Sequence, residues 1–378
     1  LMEKIYEGEC VFLNNLKVFA CKTAEDFAER ICKEVGVSLG KTEVLKFKND
    51  NTFVKILETV REDDVFVVQT TMPPVNERVM ELLITLDALK RASAGRITVV
   101  LPYYMYSRSD KKDQPRIAIT AKLIADLLVA AGADRVLTCD LHNPAIQGFL
   151  DIPSDQLKAK DLLTNYFKEL AQNENVTVVA TDAGSSKKAY KYAESLGTSI
   201  AMIDKRREGN DDRAIASNVI GDVVGKTCII FDDEVDTAGS MIETVNTLKK
   251  NGAAKIYAAC THGILSGPAI ERIRNSEMEE LVITNTVPLP PEKQIGKIKV
   301  LDIAPLFGMA IKKIHNGEGV GELFEDKKME NLPIVHVVNG RQKKLLQGHP
   351  WVYGNEIERV EGEIEDGGLV TVVDFRGR

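Results

Sequence analysis

Short runs of apolar residues alternate along this chain with longer stretches in which apolar positions recur every three or four residues. The short runs predict strands at 16–20, 43–47, 65–69, 97–101, 135–139, 176–180, 199–203, 228–231, 255–260, 281–284 and 298–302. The longer pattern predicts helices between many of them. In 77–92 it places Val79, Leu82, Leu83, Leu86 and Leu89 on one face, and in 119–131 it does the same with Leu123, Ile124, Leu127 and Leu128. Helices alternating with strands apolar on both faces imply an α/β fold with mostly parallel sheets. The strands are too many for one doubly wound sheet, so two similar halves dividing near residue 160 are expected. Near the end the pattern changes. Residues 324–333 read as a linker, and 335–338 and 368–373 read as strands with no clear helix, a β-rich tail too short for a sizeable core of its own.

In a parallel sheet, ligands gather at the carboxyl ends of strands. The polar clusters fall there: Asp140-Leu141-His142 after one strand, Thr181-Asp182-Ala183-Gly184 after another, and Asp232-Asp233 after a third. The last is the most informative. Four apolar residues, Cys228 to Phe231, run into Asp232, Asp233 and Glu234, and then into Asp236, Thr237, Ala238, Gly239 and Ser240 ahead of a helical stretch. A strand entering such a loop before a helix is built to hold a phosphate on backbone and hydroxyl donors. The acids suit ribose hydroxyls or a metal beside that phosphate.

Composition narrows the picture without naming a function. The chain has 378 residues, 44% hydrophobic and 28% charged, as in an ordinary globular protein of two or three domains. A net charge of −7 argues against a bulk electrostatic grip on nucleic acid. Six scattered cysteines without a CxxC pair read as buried free thiols in a reducing cytoplasm. No apolar run is long enough to span a membrane, and the N-terminal region shows no signal-peptide pattern.

Three further segments carry candidate chemistry. Arg108, in a mixed-charge loop after a Tyr-rich strand exit, reads either as part of a solvated turn or as a clamp on a nucleotide phosphate. His142 reads either as structural or, with Asp182, as a magnesium ligand or a contact to its waters. Lys205, Arg206 and Arg207 read either as a solvated charge run or as cations that stabilise a transferring phosphoryl group.

Taken together, the segments 87–97, 135–142, 146–149 and 261–269 with the loop at 232–240 make the chain resemble the ribose-phosphate pyrophosphokinase (phosphoribosyl diphosphate synthetase) family, from about residue 14 to 326. The resemblance implies two phosphoribosyltransferase-like, Rossmann-like domains, at 14–160 and 161–326, followed by a linker at 327–333 and the tail at 334–378. It implies transfer of the diphosphoryl group of ATP to the 1-hydroxyl of ribose 5-phosphate, with Mg²⁺, in a cytoplasmic homo-oligomer of dimers assembled into hexamers. By the same resemblance Lys205 and Arg207 are the catalytic cations, and Arg207 also contacts ribose 5-phosphate. His142 and Asp182 are metal positions. Asp232 and Asp233 face the ribose hydroxyls, and Asp236, Thr237, Ala238, Gly239 and Ser240 cradle the 5-phosphate. Arg108, Ser109, Asp113 and His142 contact ATP. Phe47, Asn49 and Asn51 match a segment that receives adenine, usually from a neighbouring subunit. Where the family usually has two acids in that segment, this chain has the amides Asn49 and Asn51. A non-catalytic regulatory paralogue and a phosphoribosyltransferase are the rival readings. The tail, from Val338 to Ile357, resembles the start of a PUA-like domain of ribosomal-RNA cytosine methyltransferases; its readings are RNA contact through Arg341, Lys343 and Lys344, or an orphaned fragment.

Overall fold

The protein is described by a computed structural model, which covers residues 15–205, 217–323, 334–338, 354–362 and 371–373. Its elements follow in chain order as β1 (Leu16–Ala20), α1 (Glu25–Val35), β2 (Thr42–Lys46), β3 (Thr52–Ile56), β4 (Asp64–Val68), α2 (Val75–Arg91), β5 (Arg96–Leu101), α3 (Thr120–Ala131), β6 (Arg135–Cys139) and β7 (Ser154–Leu157). Then come α4 (Lys160–Asn173), β8 (Val176–Ala180), α5 (Ser186–Leu196), β9 (Ser199–Lys205), β10 (Ser217–Ile220), β11 (Thr227–Val235), α6 (Gly239–Lys250), β12 (Lys255–Gly263), α7 (Ala269–Asn275), β13 (Glu280–Thr284), β14 (Ile298–Leu301) and α8 (Ala304–His315).

Two sheets result. The first has the order β1-β4-β5-β6-β7 and is parallel throughout; the second has the order β10-β9-β8-β11-β12-β13-β14 and is parallel except where β10 meets β9. This is the expected α/β architecture with mostly parallel sheets. All eleven predicted strands form, within a few residues of their expected bounds. Three others form where no apolar run announces them. Thr52–Ile56 pairs only with β2 in a two-stranded hairpin. Ser154–Leu157 and Ser217–Ile220 are edge strands, each needing a partner on one side only. An edge strand buries less of its length, so its sequence stays partly polar.

One hydrophobic core joins the two sheets. Val18 and Phe66 of the first share a cluster with Val178, Ile229 and Phe307 of the second half. The bridge is α8, which follows β14 in sequence yet packs on α1. The Phe27 and Phe307 rings meet edge to face with centroids 5.6 Å apart. Gly308 permits the close approach, since a Cβ there would lie 2.6 Å from Glu34 Cγ. At the amino ends of the strands, Arg96 grips the fully buried Asp64 with two hydrogen bonds of 2.8 and 2.6 Å, and His315 at the end of α8 reaches the same carboxylate at 2.8 Å.

The five described cysteines are free and buried, as expected. Among the described residues, no helix is long and apolar enough to cross a membrane. A second compact unit begins at Glu325. Its described strands are β15 (Ile334–Val337), β16 (Ile357–Glu361) and β17 (Thr371–Val373), in the order β16-β15-β17. Here β15 keeps to 334–337 rather than 335–338, and the linker together with Arg341, Lys343 and Lys344 lies outside the described residues.

Candidate active site

The apolar run of β11 is buried from Thr227 to Phe231, and burial relaxes at Asp232, Asp233 and Glu234. The strand itself does not stop there, contrary to the expected end at Phe231. It continues to Val235 because β12 also runs on and pairs Asp232 with Cys260, Glu234 with His262 and Val235 with Gly263. On the other side, the pairing with β8 ends at Ile230 and Val179. The three acids therefore stand on a strand extension paired along one edge, rather than in a loop. Beneath them, Phe231 stacks on Tyr192 with centroids 3.9 Å apart and meets Phe167 edge to face at 5.8 Å, which fixes the strand against α4 and α5.

After Val235 the chain turns sharply into α6. Ala238 takes a left-handed conformation, φ 61°, at the residue before the helix. The turn is held by its neighbours: Ser266 N–H donates to the Asp236 carbonyl at 3.0 Å, the Ser266 hydroxyl reaches the Asp236 carboxylate, and Arg272 donates to the Thr237 carbonyl at 2.9 Å. The first amides of this twelve-residue helix lie at the turn, where they favour an anion.

A cavity of about 190 Å³ opens over this turn, lined by the continuous run from Asp232 to Met241 and by Arg108 and His142 from the first half of the chain. The structure thus brings His142, Arg108, both acids of the pair and the whole of the Asp236–Ser240 loop into one site. His142 Nδ1 lies 2.8 Å from Asp233 Oδ2, and Lys188 Nζ lies 3.5 Å from Asp233 Oδ1. Arg108 Nε lies 3.2 Å from Glu234 Oε1, and its Nη1 lies 3.6 Å from Asp236 Oδ2.

The adjacent acids titrate apart. Burial and then the Asp233 charge push the Asp232 carboxyl well above the usual carboxylate range. Burial opposes ionisation of Asp233 too, but the hydrogen bond from His142 and the charge of Lys188 prevail and hold it far below that range. The His142 imidazole is raised, first by its hydrogen bond with Asp233, against the opposing effect of burial. Burial also raises Glu234, followed by the Asp233 charge. Two like charges side by side do not both ionise readily, so the pair favours one proton.

Other expected residues lie elsewhere. Asp182 is exposed at the end of β8, where its Oδ1 accepts the Ser185 N–H at 2.8 Å and caps the turn into α5. Among the described residues, His142, Asp233 and Glu234 bring metal-capable atoms within 4.8 Å of one another. Ser109 and the exposed Asp113 are not among the residues lining the cavity. Phe47, Asn49 and Asn51 sit at the β2–β3 hairpin tip, also outside it. Phe47 is 52% exposed and packs on Phe53, and Asn49 Oδ1 accepts the Asn51 N–H at 3.3 Å. Lys205 ends β9 with its side chain outside the described residues, as is Arg207. Asp140 proves to be an internal tie: its Oδ2 accepts from Ala159 N–H at 2.9 Å and from the Thr261 hydroxyl at 2.7 Å. Lys188, Glu234 and Tyr103 carry no role in the sequence reading. A lysine in the first turn of the helix after Asp182, and a third acid beside an acid pair, were the available signals.

Residues 16–132 match the family model for the N-terminal domain of ribose phosphate pyrophosphokinase, residues 213–325 match the phosphoribosyl synthetase-associated domain, and residues 335–378 match a PUA-like domain. The chain is 49% identical over 314 residues to a ribose-phosphate pyrophosphokinase of Clostridium acetobutylicum, covering 83% of this chain and 98% of that protein. It is 50% identical over 314 residues to one of Clostridium perfringens, covering 82% and 98%. The crystal structure of phosphoribosylpyrophosphate synthetase from Mycobacterium smegmatis superposes with a TM-score of 0.76 at 42% identity, covering 80% of this chain and 100% of that one.

Proposed function

This chain belongs to the ribose-phosphate pyrophosphokinase family, and from that membership we infer how its site serves the reaction. The diphosphoryl group of ATP passes to the 1-hydroxyl of ribose 5-phosphate, giving phosphoribosyl diphosphate and AMP for nucleotide synthesis. The 5-phosphate rests on the turn Asp236–Ser240, held by the α6 amides and the hydroxyls of Thr237 and Ser240. Asp232 and Asp233 accept hydrogen bonds from the ribose hydroxyls and fix the sugar's orientation. Arg108 contacts the nucleotide phosphates, with Ser109 and Asp113 on the same loop. Lys205 and Arg207 neutralise the moving diphosphoryl group.

Such a transfer needs alignment and charge neutralisation rather than a covalent intermediate, and these are what the site's residues supply. The observation that carries the reading is the convergence in one cavity of the acid pair, the helix-capping turn, and His142 and Arg108 from the other half.

The family is metal-dependent, and the donors present fit a divalent cation: His142 offers an imidazole, and Asp233 and Glu234 offer carboxylate oxygens within 4.8 Å. We assign the ion as Mg²⁺ with His142 and Asp233 as holders, and Asp182 as a further ligand at the neighbouring strand end. When bound, it supplies charge neutralisation of the nucleotide phosphates.

Phe47, Asn49 and Asn51 are read as receiving adenine across a subunit boundary. Their place on an exposed hairpin tip away from the cavity supports that reading, and with it a homo-oligomer built of dimers, up to a hexamer. The two sheets are read as the two domains, 14–160 and 161–326. Five buried free thiols among the described residues support a reducing cytoplasmic setting.

The deciding experiment is AMP formation from ATP and ribose 5-phosphate with Mg²⁺. Turnover well above a Lys205→Ala control is expected; AMP no greater than in that control would overturn the assignment.

A further inference from the structure

Glu234 has no part in substrate binding as assigned above. Yet its side chain is 7% exposed, against 21% for Asp233 beside it. Both of its oxygens face one segment of the other half of the chain. Oε2 accepts a hydrogen bond from the Tyr103 hydroxyl at 3.2 Å, and Oε1 lies 3.2 Å from Arg108 Nε. Oε1 is buried and off the line of any hydrogen bond among the described residues, so its contact with Arg108 is an ion pair without a hydrogen bond. The Tyr103 ring in turn packs on His262 at 4.8 Å, and His262 pairs with Glu234 across the β11–β12 ladder.

We propose that Glu234 is a positioning residue for nucleotide binding, holding Arg108 by the Nε edge of its guanidinium so that the Nη edge meets the nucleotide phosphates. The proposal rests on the reading of Arg108 as a nucleotide contact. A guanidinium spreads its charge over a rigid planar fork, so it can be held by an ion pair at one edge and grip a phosphate bidentately through the other. The Nη1 contact with Asp236, 3.6 Å, is a longer ion pair and too long for a hydrogen bond, so the Nη donors keep their hydrogen bonds for a ligand. Arg108 is 60% exposed; without an anchor, so exposed a side chain gives up its rotamer freedom at the moment of binding. Glu234 removes that cost beforehand. The anchor is itself rigid, set in a paired strand and held by Tyr103. A buried carboxylate is also costly to leave without its cation, which keeps Arg108 tethered while it binds.

The test is steady-state kinetics of Glu234→Gln, Arg108→Ala and the double variant. Glu234→Gln is expected to raise the ATP KM about tenfold, the scale of losing an ion pair with one buried partner, and to leave the ribose 5-phosphate KM within about twofold. In the Arg108→Ala background, Glu234→Gln is expected to add less than about twofold, because both changes remove one arrangement. An unchanged ATP KM in Glu234→Gln while Arg108→Ala raises it overturns the proposal, as do multiplicative effects or an equal loss for both substrates. An unchanged ATP KM in Arg108→Ala overturns the nucleotide assignment of Arg108 first, and the proposal with it. Should Glu234→Gln fail to fold, Arg108→Lys takes its place: an ammonium keeps the charge but has no second edge, so an ATP KM like that of Arg108→Ala is expected and a native value overturns the proposal.

Discussion

His142 Nδ1 lies 2.8 Å from Asp233 Oδ2, although the two residues stand 91 positions apart. This contact joins the carboxyl end of β6 in the first sheet to that of β11 in the second, at the cavity itself. With the Lys188 charge it also favours the ionised form of Asp233, while burial and the Asp233 charge raise Asp232.

The His142→Ala variant is therefore expected to lose roughly 10²-fold in kcat/KM, the scale of removing one preorganised electrostatic group. Steady-state AMP formation checks it. A loss below about threefold would mean that the pair only joins the two sheets.

Lys188 offers effects of opposite sign on two ligands. Its ammonium, 3.5 Å from Asp233, adds positive charge beside the acids. Lys188→Met leaves the site more negative, so ribose 5-phosphate should bind about three- to tenfold more weakly and Mg²⁺ more tightly by a similar factor. Titrations of each ligand at fixed saturation of the other check it. A shift of both constants in the same direction would contradict this electrostatic account.

His262 makes stability depend on pH. The ring is fully enclosed, with Nδ1 2.9 Å from the Thr286 hydroxyl and Nε2 3.1 Å from the Asp140 carbonyl. Burial lowers its pKa, against the pull of Asp140 toward the charged form. Below pH 6.5, the ordinary histidine value, the unfolded chain takes up a proton that the folded chain refuses. Stability present above that pH is lost as the pH falls toward the folded pKa, by up to about 1.4 kcal/mol per pH unit. Urea unfolding at a series of pH values should show this slope, and His262→Gln should remove it. An unaltered slope in the variant would assign the pH dependence to other groups.

Gly308 sets how closely α8 and α1 approach. Gly308→Ala should destabilise by about 1 kcal/mol despite the gain in helix propensity, because its Cβ would meet Glu34 Cγ at 2.6 Å and Glu34 Cβ at 2.7 Å, and the latter atom cannot move without the α1 backbone. Gly308→Leu should destabilise by about 1–3 kcal/mol, because the larger side chain forces α8 away from α1 and from the Ile31 carbonyl behind Glu34. Denaturant midpoints measure both losses, and an unshifted midpoint in either variant would mean that the two helices have room to part.

The chain by itself determined the alternation of strands and helices, because a buried strand must be apolar along its length and an amphipathic helix on one face, and both demands are local. It also determined the turn at Asp236–Ser240, where strand, small residues and helix follow one another without help from elsewhere. The edge strands at 52–56, 154–157 and 217–220 left no such mark, since a half-buried edge tolerates polar residues. What only the tertiary structure decided is who meets whom. The extension of β11 through its acids depends on β12 running on beside it. The packing of α8 on α1 joins residues that lie far apart in sequence. The pairing of Glu234 with Arg108 and Tyr103 arises only when the two sheets share a core, and that of Lys188 with Asp233 only when α5 packs on the second sheet. Periodicity records that a face is covered; the identity of the covering residues, and the charges that result, is fixed by long-range packing.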